Sequence, residues 1–316
     1  MRALFLAAAL SAAPASAVAA APDLAVRDHS LDVLVRRIDH YVDRSKKPEI
    51  VAWLKAEKPR LLAIDDRDAF LAALNDGLRR TSGDKHLSVF VKGPNPPPAD
   101  DPSLSTYGIG RVERLPGGAG YMEVTGFSNL PESAAAVDAA MDKLRGAPAL
   151  ILDLRANGGG GEASFGRLLG HLVPARAELT AIEWRVCAPP PAEHPDACTH
   201  LAPHLERRFT DSPPRPAFPD QPVYVLVSKG SFSAAEATAF ELKRLGRGIV
   251  VGEATGGGAS PSAGMDLESD YVVIMPIGRM KPPSGGSWEG SGVAPDIVVP
   301  AERALEVAVA EASRKR

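Results

Sequence analysis

Residues 149–160 read ALILDLRANGGG, an apolar run that ends in three glycines. A short apolar run next to turn-forming residues is typical of a strand that is buried on both faces. The same reasoning predicts strands at residues 120–124, 223–227 and 248–252, separated by helices at residues 133–144 and 234–245. Strands that alternate with helices in this way indicate an α/β fold with largely parallel pairing.

The chain before this α/β core has a different pattern. Apolar residues recur at helical spacing between residues 31 and 81, which predicts a small helical lobe. A Pro-rich segment at residues 94–102 follows, and consecutive prolines block both helices and central strands. In a chain of 316 residues we therefore expect a helical lobe at residues 23–92, a connector at 93–104 and the α/β core at 105–316.

The first residues are typical of a secretory signal peptide. Met1-Arg2 gives a positive start, residues 3–10 are apolar, and small residues suited to cleavage follow. We predict a signal peptide at residues 1–20, the alternative being a hydrophobic N-terminal helix of the mature fold. The apolar run is shorter than the roughly 18 residues that cross a bilayer. We therefore expect a mature protein without a membrane span, located in the periplasm or secreted.

The composition is that of an ordinary globular protein. Hydrophobic residues make up 45% of the chain, charged residues 24%, and the formal net charge is −3. A nucleic-acid-binding protein carries a clear excess of basic residues. The sequence therefore predicts no nucleic-acid partner.

Both cysteines, Cys187 and Cys198, lie in one Pro-rich stretch. In an oxidising compartment a lone nearby pair is best explained as a disulfide, which stabilises by roughly 3 kcal/mol in the chain-entropy model. A metal site with His194, His200 and His204 is the competing interpretation. The spacings match no familiar zinc pattern, so we favour the disulfide.

Ser233 lies between the predicted strand at residues 223–227 and the helix that begins near Ala234. At this position free backbone N–H groups and the positive end of the helix dipole stabilise a developing oxyanion, which suits a nucleophile. The local alternative is a purely structural one. In it Ser231 or Ser233 is only a helix cap, and Glu236, three residues after Ser233, completes a capping box.

Three blocks of sequence extend beyond this local pattern. Residues 153–160 read DLRANGGG, residues 233–236 and 246–258 read SAAE and GRGIVVGEATGGG, and residues 290–299 read GSGVAPDIVV. In type and order they resemble the serine peptidases of family S41, which include tail-specific (C-terminal-processing) proteases, tricorn core proteases and the modules of interphotoreceptor retinoid-binding protein. The resemblance covers residues 107–300 approximately. It implies a crotonase/ClpP-like α/β core with a small N-terminal helical domain, and Ser233 as nucleophile.

The family has two catalytic arrangements. Tail-specific proteases use a lysine in a Gly-Lys-Gly turn, but residues 255–259 read TGGGA, and neither Lys229 nor Lys243 lies at the matching place. The tricorn-like arrangement uses a histidine and a glutamate. Residues 83–89, GDKHLSV, resemble the histidine segment, so the resemblance implies His86 as general base and Glu289 as its carboxylate partner.

One neighbour of His86 departs from the tricorn pattern. In tricorn proteases the glutamate acts through a serine next to the histidine, and here that residue is Lys85. The orientation of His86 is therefore open, with Asp84 and Ser88 as alternative partners.

The resemblance also implies an oxyanion hole. One donor would be the N–H of Gly158 or Gly159 and the other that of Ala234, because glycine permits close approach of the backbone to a substrate carbonyl. The alternative for the glycines is a plain turn between strand and helix. Asp153 and Arg155 are expected to hold this turn by charge-assisted hydrogen bonds.

Together these residues predict peptide-bond hydrolysis through an acyl-enzyme, with a peptide or protein as substrate and no cofactor or metal. A non-catalytic module that binds apolar ligands or peptides, as in the retinoid-binding protein, is the main alternative, and a scaffold with an inactive site is another. Only the Pro-rich segment separates the helical lobe from the core. Recognition of substrate tails by an inserted PDZ domain is therefore not expected. The sequence specifies no oligomeric state.

Overall fold

The computed structural model describes residues 24–93, 106–173, 176–185 and 204–314. The predicted signal peptide, nearly all of the Pro-rich connector, and Cys187 and Cys198 lie outside these residues. Within the described part of the chain, no helix combines the length and the apolar character that crossing a membrane requires.

Three helices form the first part of the described chain. They are α1 (Leu24–Arg37), α2 (Lys47–Leu62) and α3 (Arg67–Ser82). Helix α3 begins after Asp66, whose side chain accepts a hydrogen bond from Ala69 N, and ends at Gly83 in the left-handed conformation. The apolar faces of the three helices share one core, as helical spacing predicts, through residues that include Leu31, Leu34, Ile38, Phe70, Leu74 and Leu78.

Twelve strands and four further α-helices follow in the described part of the chain. They are β1 (Ser88–Val91), β2 (Ile109–Arg114), β3 (Gly120–Val124), α4 (Ser133–Leu144), β4 (Leu150–Asp153), α5 (Glu162–Leu172), β5 (Glu178–Trp184), β6 (His204–Phe209), β7 (Val223–Val227), α6 (Ala234–Arg244), β8 (Gly248–Gly252), β9 (Ser262–Asp266), β10 (Tyr271–Pro276), β11 (Gly278–Lys281), β12 (Ile297–Val298) and α7 (Ala304–Arg314).

The central sheet has six strands in the order β12-β8-β7-β4-β3-β2. All neighbours pair in parallel except β2 and β3, which are antiparallel. Every residue of β4 and β7 is buried, because helices and loops cover both faces of the sheet. The predicted α/β fold with largely parallel pairing is thus confirmed. Parallel strands bring β4 and β7 to an end at the same edge of the sheet, where the glycine turn and Ser233 follow.

Two smaller sheets flank this edge. Strand β1, which follows His86, pairs antiparallel with β10, and β10 pairs with β9. The chain that follows His86 is therefore hydrogen-bonded to a segment that lies after Ser233 in sequence. The second small sheet has the order β11-β5-β6 and contributes one wall of the cleft described below.

An ion-pair cluster around the buried His171 joins α4 to α5, the helix that lines this cleft. His171 is 1% exposed, its Nε2 lies 2.7 Å from Asp138 Oδ1, and Arg167 binds both oxygens of Asp138. Burial lowers the pKa of His171, although Asp138 acts in the opposite direction. The folded protein therefore disfavours a proton that the unfolded chain accepts near pH 6.5.

We expect the free energy of unfolding to fall as the pH drops below about 6.5, the ordinary histidine pKa. The sign follows from the lowered pKa, since protonation of His171 then favours the unfolded state. Urea denaturation of the wild type and of His171→Gln at pH 7.5 and 5.5 measures the effect. Equal losses of stability in the two proteins would show that His171 does not contribute.

Candidate active site

Ser233 occupies a sharp turn between β7 and α6. Its φ is +54° and its ψ is −118°, a region that residues other than glycine rarely adopt. Such a conformation costs about 1–3 kcal/mol and is found mainly where the side chain has a function. The N–H of Ser233 donates to Glu236 Oε2 at 2.9 Å, as the predicted capping box requires.

Glu236 does more than cap the helix. Its carboxylate is fully buried and also accepts hydrogen bonds from Gly258 N at 2.7 Å, Gly257 N at 2.7 Å and Thr255 Oγ1 at 2.6 Å. One carboxylate thus joins the turn that contains Ser233 to the turn at residues 255–258. The sequence suggested the bond to Ser233 but not those to residues 255–258.

The serine segment is also tied to the glycine turn after β4. Ser231 is buried and its Oγ donates to the carbonyl of Leu154 at 2.7 Å. Phe232 N donates to the carbonyl of Asn157 at 3.0 Å. These bonds explain why two motifs far apart in sequence form one site.

The glycine turn after β4 lies directly against Ser233. A Cβ on Gly159 would lie 2.6 Å from Ser233 Cβ, and the φ of Gly159 is +106°, so only glycine fits. However, Gly159 N already donates to Asn157 Oδ1 at 2.8 Å. In the described part of the chain no hydrogen bond is formed by the N–H of Gly158, Gly160 or Ala234. Gly160, which sequence reasoning did not select, lines the same cleft as Ser233 and Ala234.

His86 is held between α3 and β1 with 7% of its surface exposed. Its ring packs against that of Phe232, the residue before Ser233, with 4.5 Å between ring centroids and the ring planes tilted by 39°. Neither ring nitrogen has a hydrogen-bond partner among the described residues. His86 and Ser233 line the same cleft, so the structure brings the two predicted residues together. The imidazole nitrogens form no hydrogen bond there with the described residues.

Two carboxylates lie beside the imidazole. Asp84 Oδ1 accepts a hydrogen bond from His86 N at 2.8 Å and lies 3.7 Å from His86 Nδ1. Glu289 Oε2 accepts from Ala259 N and Ser260 N, while its Oε1 is buried and unpaired within the described residues. One donor atom from each of Asp84, His86 and Glu289 falls within 4.8 Å of the others.

The other two neighbours of His86 are committed elsewhere. Ser88 Oγ donates to the carbonyl of His86 at 2.8 Å, and Lys85 Nζ donates to the carbonyl of Gly256. Of the alternatives left open by the sequence, Asp84 is therefore the one whose side chain lies near the ring.

The two carboxylates affect each other. Burial raises the pKa of Glu289, and the negative charge of Asp84 raises it further. Burial likewise raises the pKa of Tyr41, with Asp84 again contributing. His86 acts in the opposite direction and lowers the pKa of Glu289.

The cleft beside Ser233 has a volume of about 550 Å³. Its apolar wall includes Phe165, Ile182, Trp184, Met280 and Trp288. Arg208 also lines it, and its guanidinium is bound by Glu162. The cleft is large enough for several atoms of a peptide side chain and backbone next to the reactive groups.

The packing around His86 predicts a large effect of Gly258→Ala. The new Cβ would lie 2.6 Å from His86 Cε1 and 2.2 Å from the Phe232 ring, so both rings must move. We expect serine reactivity to fall by about 100-fold, since misplacement of a catalytic group by 1 Å costs that much. Labelling by a fluorophosphonate measures it. Gly166→Ala, where a Cβ meets no atom within 4 Å, is the control, and equal labelling of both variants would contradict the argument.

Comparison with known proteins adds independent information. A family model described as peptidase family S41 matches residues 118–299. The C-terminal processing peptidase of the chloroplast from Tetradesmus obliquus is 36% identical over 76 residues, which are 24% of this chain and 16% of that protein. The chain thus matches only a small part of that relative's length.

Solved structures share the fold over most of the chain. The match to a peptidase structure from Parabacteroides merdae covers 91% of this chain and 96% of that chain, with 17% identity and a TM-score of 0.60. A lipoprotein from Streptococcus agalactiae covers 90% and 96%, with 15% identity and a TM-score of 0.57. The photosystem II D1 C-terminal processing protease covers 91% and 97%, with 18% identity and a TM-score of 0.51. At these identities the likeness concerns the fold alone.

Proposed function

This chain belongs to peptidase family S41, and we propose that it is a serine peptidase with Ser233 as nucleophile and His86 as general base. The observation that carries the proposal is the arrangement in the cleft. A serine in a strained turn at a helix N-terminus faces the same cleft as a buried histidine whose ring nitrogens are unpaired. Backbone strain at Ser233 and a buried imidazole without hydrogen bonds have no evident structural role.

The first step is attack of Ser233 Oγ on the carbonyl carbon of a peptide bond. His86 accepts the hydroxyl proton, since a serine hydroxyl is a poor nucleophile until a base removes it. The carbonyl oxygen becomes an oxyanion, and the N–H groups of Ala234 and of Gly158 or Gly160 donate to it. Gly159 has a different task, because its own N–H holds Asn157 and its lack of a side chain makes room for Ser233.

The second step breaks the carbon–nitrogen bond. The leaving amine takes the proton from His86, and an ester joins the acyl group to Ser233. Water then attacks this ester with His86 again accepting the proton, which releases a carboxylic acid and restores Ser233. Glu289 and Asp84 stabilise the charged imidazole in both halves of the reaction.

Fluorophosphonate labelling with peptide mapping tests this proposal, because the reagent reacts only with an activated serine. We expect a label on Ser233 in the wild type and none in His86→Ala. His171→Ala is a matched control, as it removes a buried histidine that is distant in sequence and paired with Asp138. A folded wild-type protein that takes up no label would favour the ligand-binding module instead.

We further propose that residues 1–20 export the chain to the periplasm or beyond, and that a helical lobe at residues 23–92 and a core at 105–316 form the mature protein. Cys187 and Cys198 would then be oxidised to a disulfide. N-terminal sequencing of the protein from the periplasmic fraction tests the export. A protein recovered with Met1 intact in the cytoplasm would contradict it.

A further inference from the structure

We propose that Asp84, His86 and Glu289 form a binding site for a divalent cation of the zinc type, which acts as an inhibitor. One donor atom of each side chain lies within 4.8 Å of the other two, and His86 Nδ1 and Asp84 Oδ1 are 3.7 Å apart. Ligands at about 2.0–2.2 Å from a tetrahedral zinc ion lie some 3.3–3.6 Å from one another. A small rotation of the three side chains therefore brings their donor atoms to these distances around one ion.

The cluster has buried polar atoms that lack partners. His86 is more than nine-tenths buried, and both of its ring nitrogens are unpaired in the described part of the chain, as is Glu289 Oε1. A buried polar atom without a hydrogen-bond partner is energetically unfavourable. One cation would satisfy the imidazole and the free carboxylate oxygen together.

The charges around the cluster also favour a cation. Within the described residues, neither Asp84 nor Glu289 forms an ion pair with a lysine or arginine, and the nearby Lys85 is bound to a backbone carbonyl. Two side-chain carboxyl groups and one imidazole thus lie together in a space with little solvent. A divalent ion is the kind of group that such a pair of charges attracts most strongly.

The donor set distinguishes between metals. One imidazole and two carboxylates leave an open position on a four-coordinate ion, which is typical of zinc. Calcium takes six to eight oxygen ligands, and three side chains of which one is a histidine do not supply them. Imidazole is a good ligand for zinc and a poor one for magnesium or calcium.

The consequence for catalysis rests on the function proposed above, whereas the binding itself does not. A ring nitrogen whose lone pair is bound to zinc cannot accept the proton of Ser233. Bound zinc would therefore switch the nucleophile off without any change in the fold.

Isothermal titration with zinc chloride tests the binding on the mature protein, which lacks the proposed signal peptide. We expect the wild type to bind zinc and calcium chloride to give no comparable heat. Glu289→Gln and Asp84→Asn should each weaken this zinc affinity by at least about 10-fold. Asp138→Asn alters another buried histidine–aspartate pair and should leave the affinity unchanged. Circular dichroism without zinc establishes that each variant is folded.

An affinity that is the same in the wild type, Glu289→Gln and Asp84→Asn would overturn the proposal, because the zinc would then be bound elsewhere on the chain. Fluorophosphonate labelling with and without zinc tests the inhibition, which should follow the same affinity. Unchanged labelling at saturating zinc overturns the inhibition. If the protein takes up no label even without zinc, the peptidase proposal fails while the calorimetry still decides the cation site.

Discussion

Replacing Ser233 with alanine is expected to lower the rate of peptide hydrolysis by at least about 10⁴-fold, because the acyl-enzyme cannot form. The free energy of unfolding should change little, by about 0.5 kcal/mol or less, since alanine keeps the backbone N–H that Glu236 binds and must adopt the same positive φ. Hydrolysis of a fluorogenic peptide library and urea denaturation measure the two effects.

Ser233→Gly is the matched variant. It removes the same hydroxyl but also removes the Cβ that makes a φ of +54° unfavourable. We therefore expect the same loss of hydrolysis together with a gain of about 1 kcal/mol in the free energy of unfolding. Hydrolysis that persists in both variants would exclude Ser233 as the nucleophile. Equal stability of the two variants would show that the turn is not strained.

Replacing Glu236 with alanine should give the largest loss of stability in the core. The change leaves four donors without their acceptor, the buried ones of Thr255, Gly257 and Gly258 and the partly buried N–H of Ser233. We expect the free energy of unfolding to fall by about 3–5 kcal/mol. Because both turns around Ser233 lose their common anchor, fluorophosphonate labelling of the folded fraction should fall by at least about 100-fold.

Glu241→Ala provides the control on the same helix. Glu241 is also buried, but its carboxylate binds Thr180 N and Arg244 rather than the catalytic turns. This variant should be destabilised, yet its folded fraction should be labelled at the wild-type rate. If Glu236→Ala were labelled as fast as Glu241→Ala, Glu236 would have only a structural role.

The local elements were predictable because their signals are local. The strands at residues 120–124, 223–227 and 248–252 and the helix at residues 133–144 have the predicted bounds, since apolar runs and helical spacing describe burial directly. The assignment to family S41 is confirmed by the family match over residues 118–299. Ser233, His86 and Glu289 were selected through that resemblance, and their catalytic roles remain predictions.

The contacts that assemble the site were not predictable in the same way. Glu236 in the first turn of a helix indicates a cap, and nothing nearby in sequence indicates that residues 255–258 bind the same carboxylate. The bond from Gly159 N to Asn157 depends on the conformation of the whole glycine turn. The contact between the rings of Phe232 and His86 joins segments that only the folded chain brings together.

The pairing of β1 with β10 has a consequence for the order of events during synthesis. His86 is held in position by a strand that can form its ladder only after residues 271–276 have left the ribosome, and Glu289 is made later still. A newly made chain would therefore contain Ser233 long before it contains a working base. Fluorophosphonate labelling of ribosome-bound chains that end before and after residues 271–276 would show this as a serine that becomes reactive only in the longer chains. The reactivity of Ser233 would thus depend on completion of the fold.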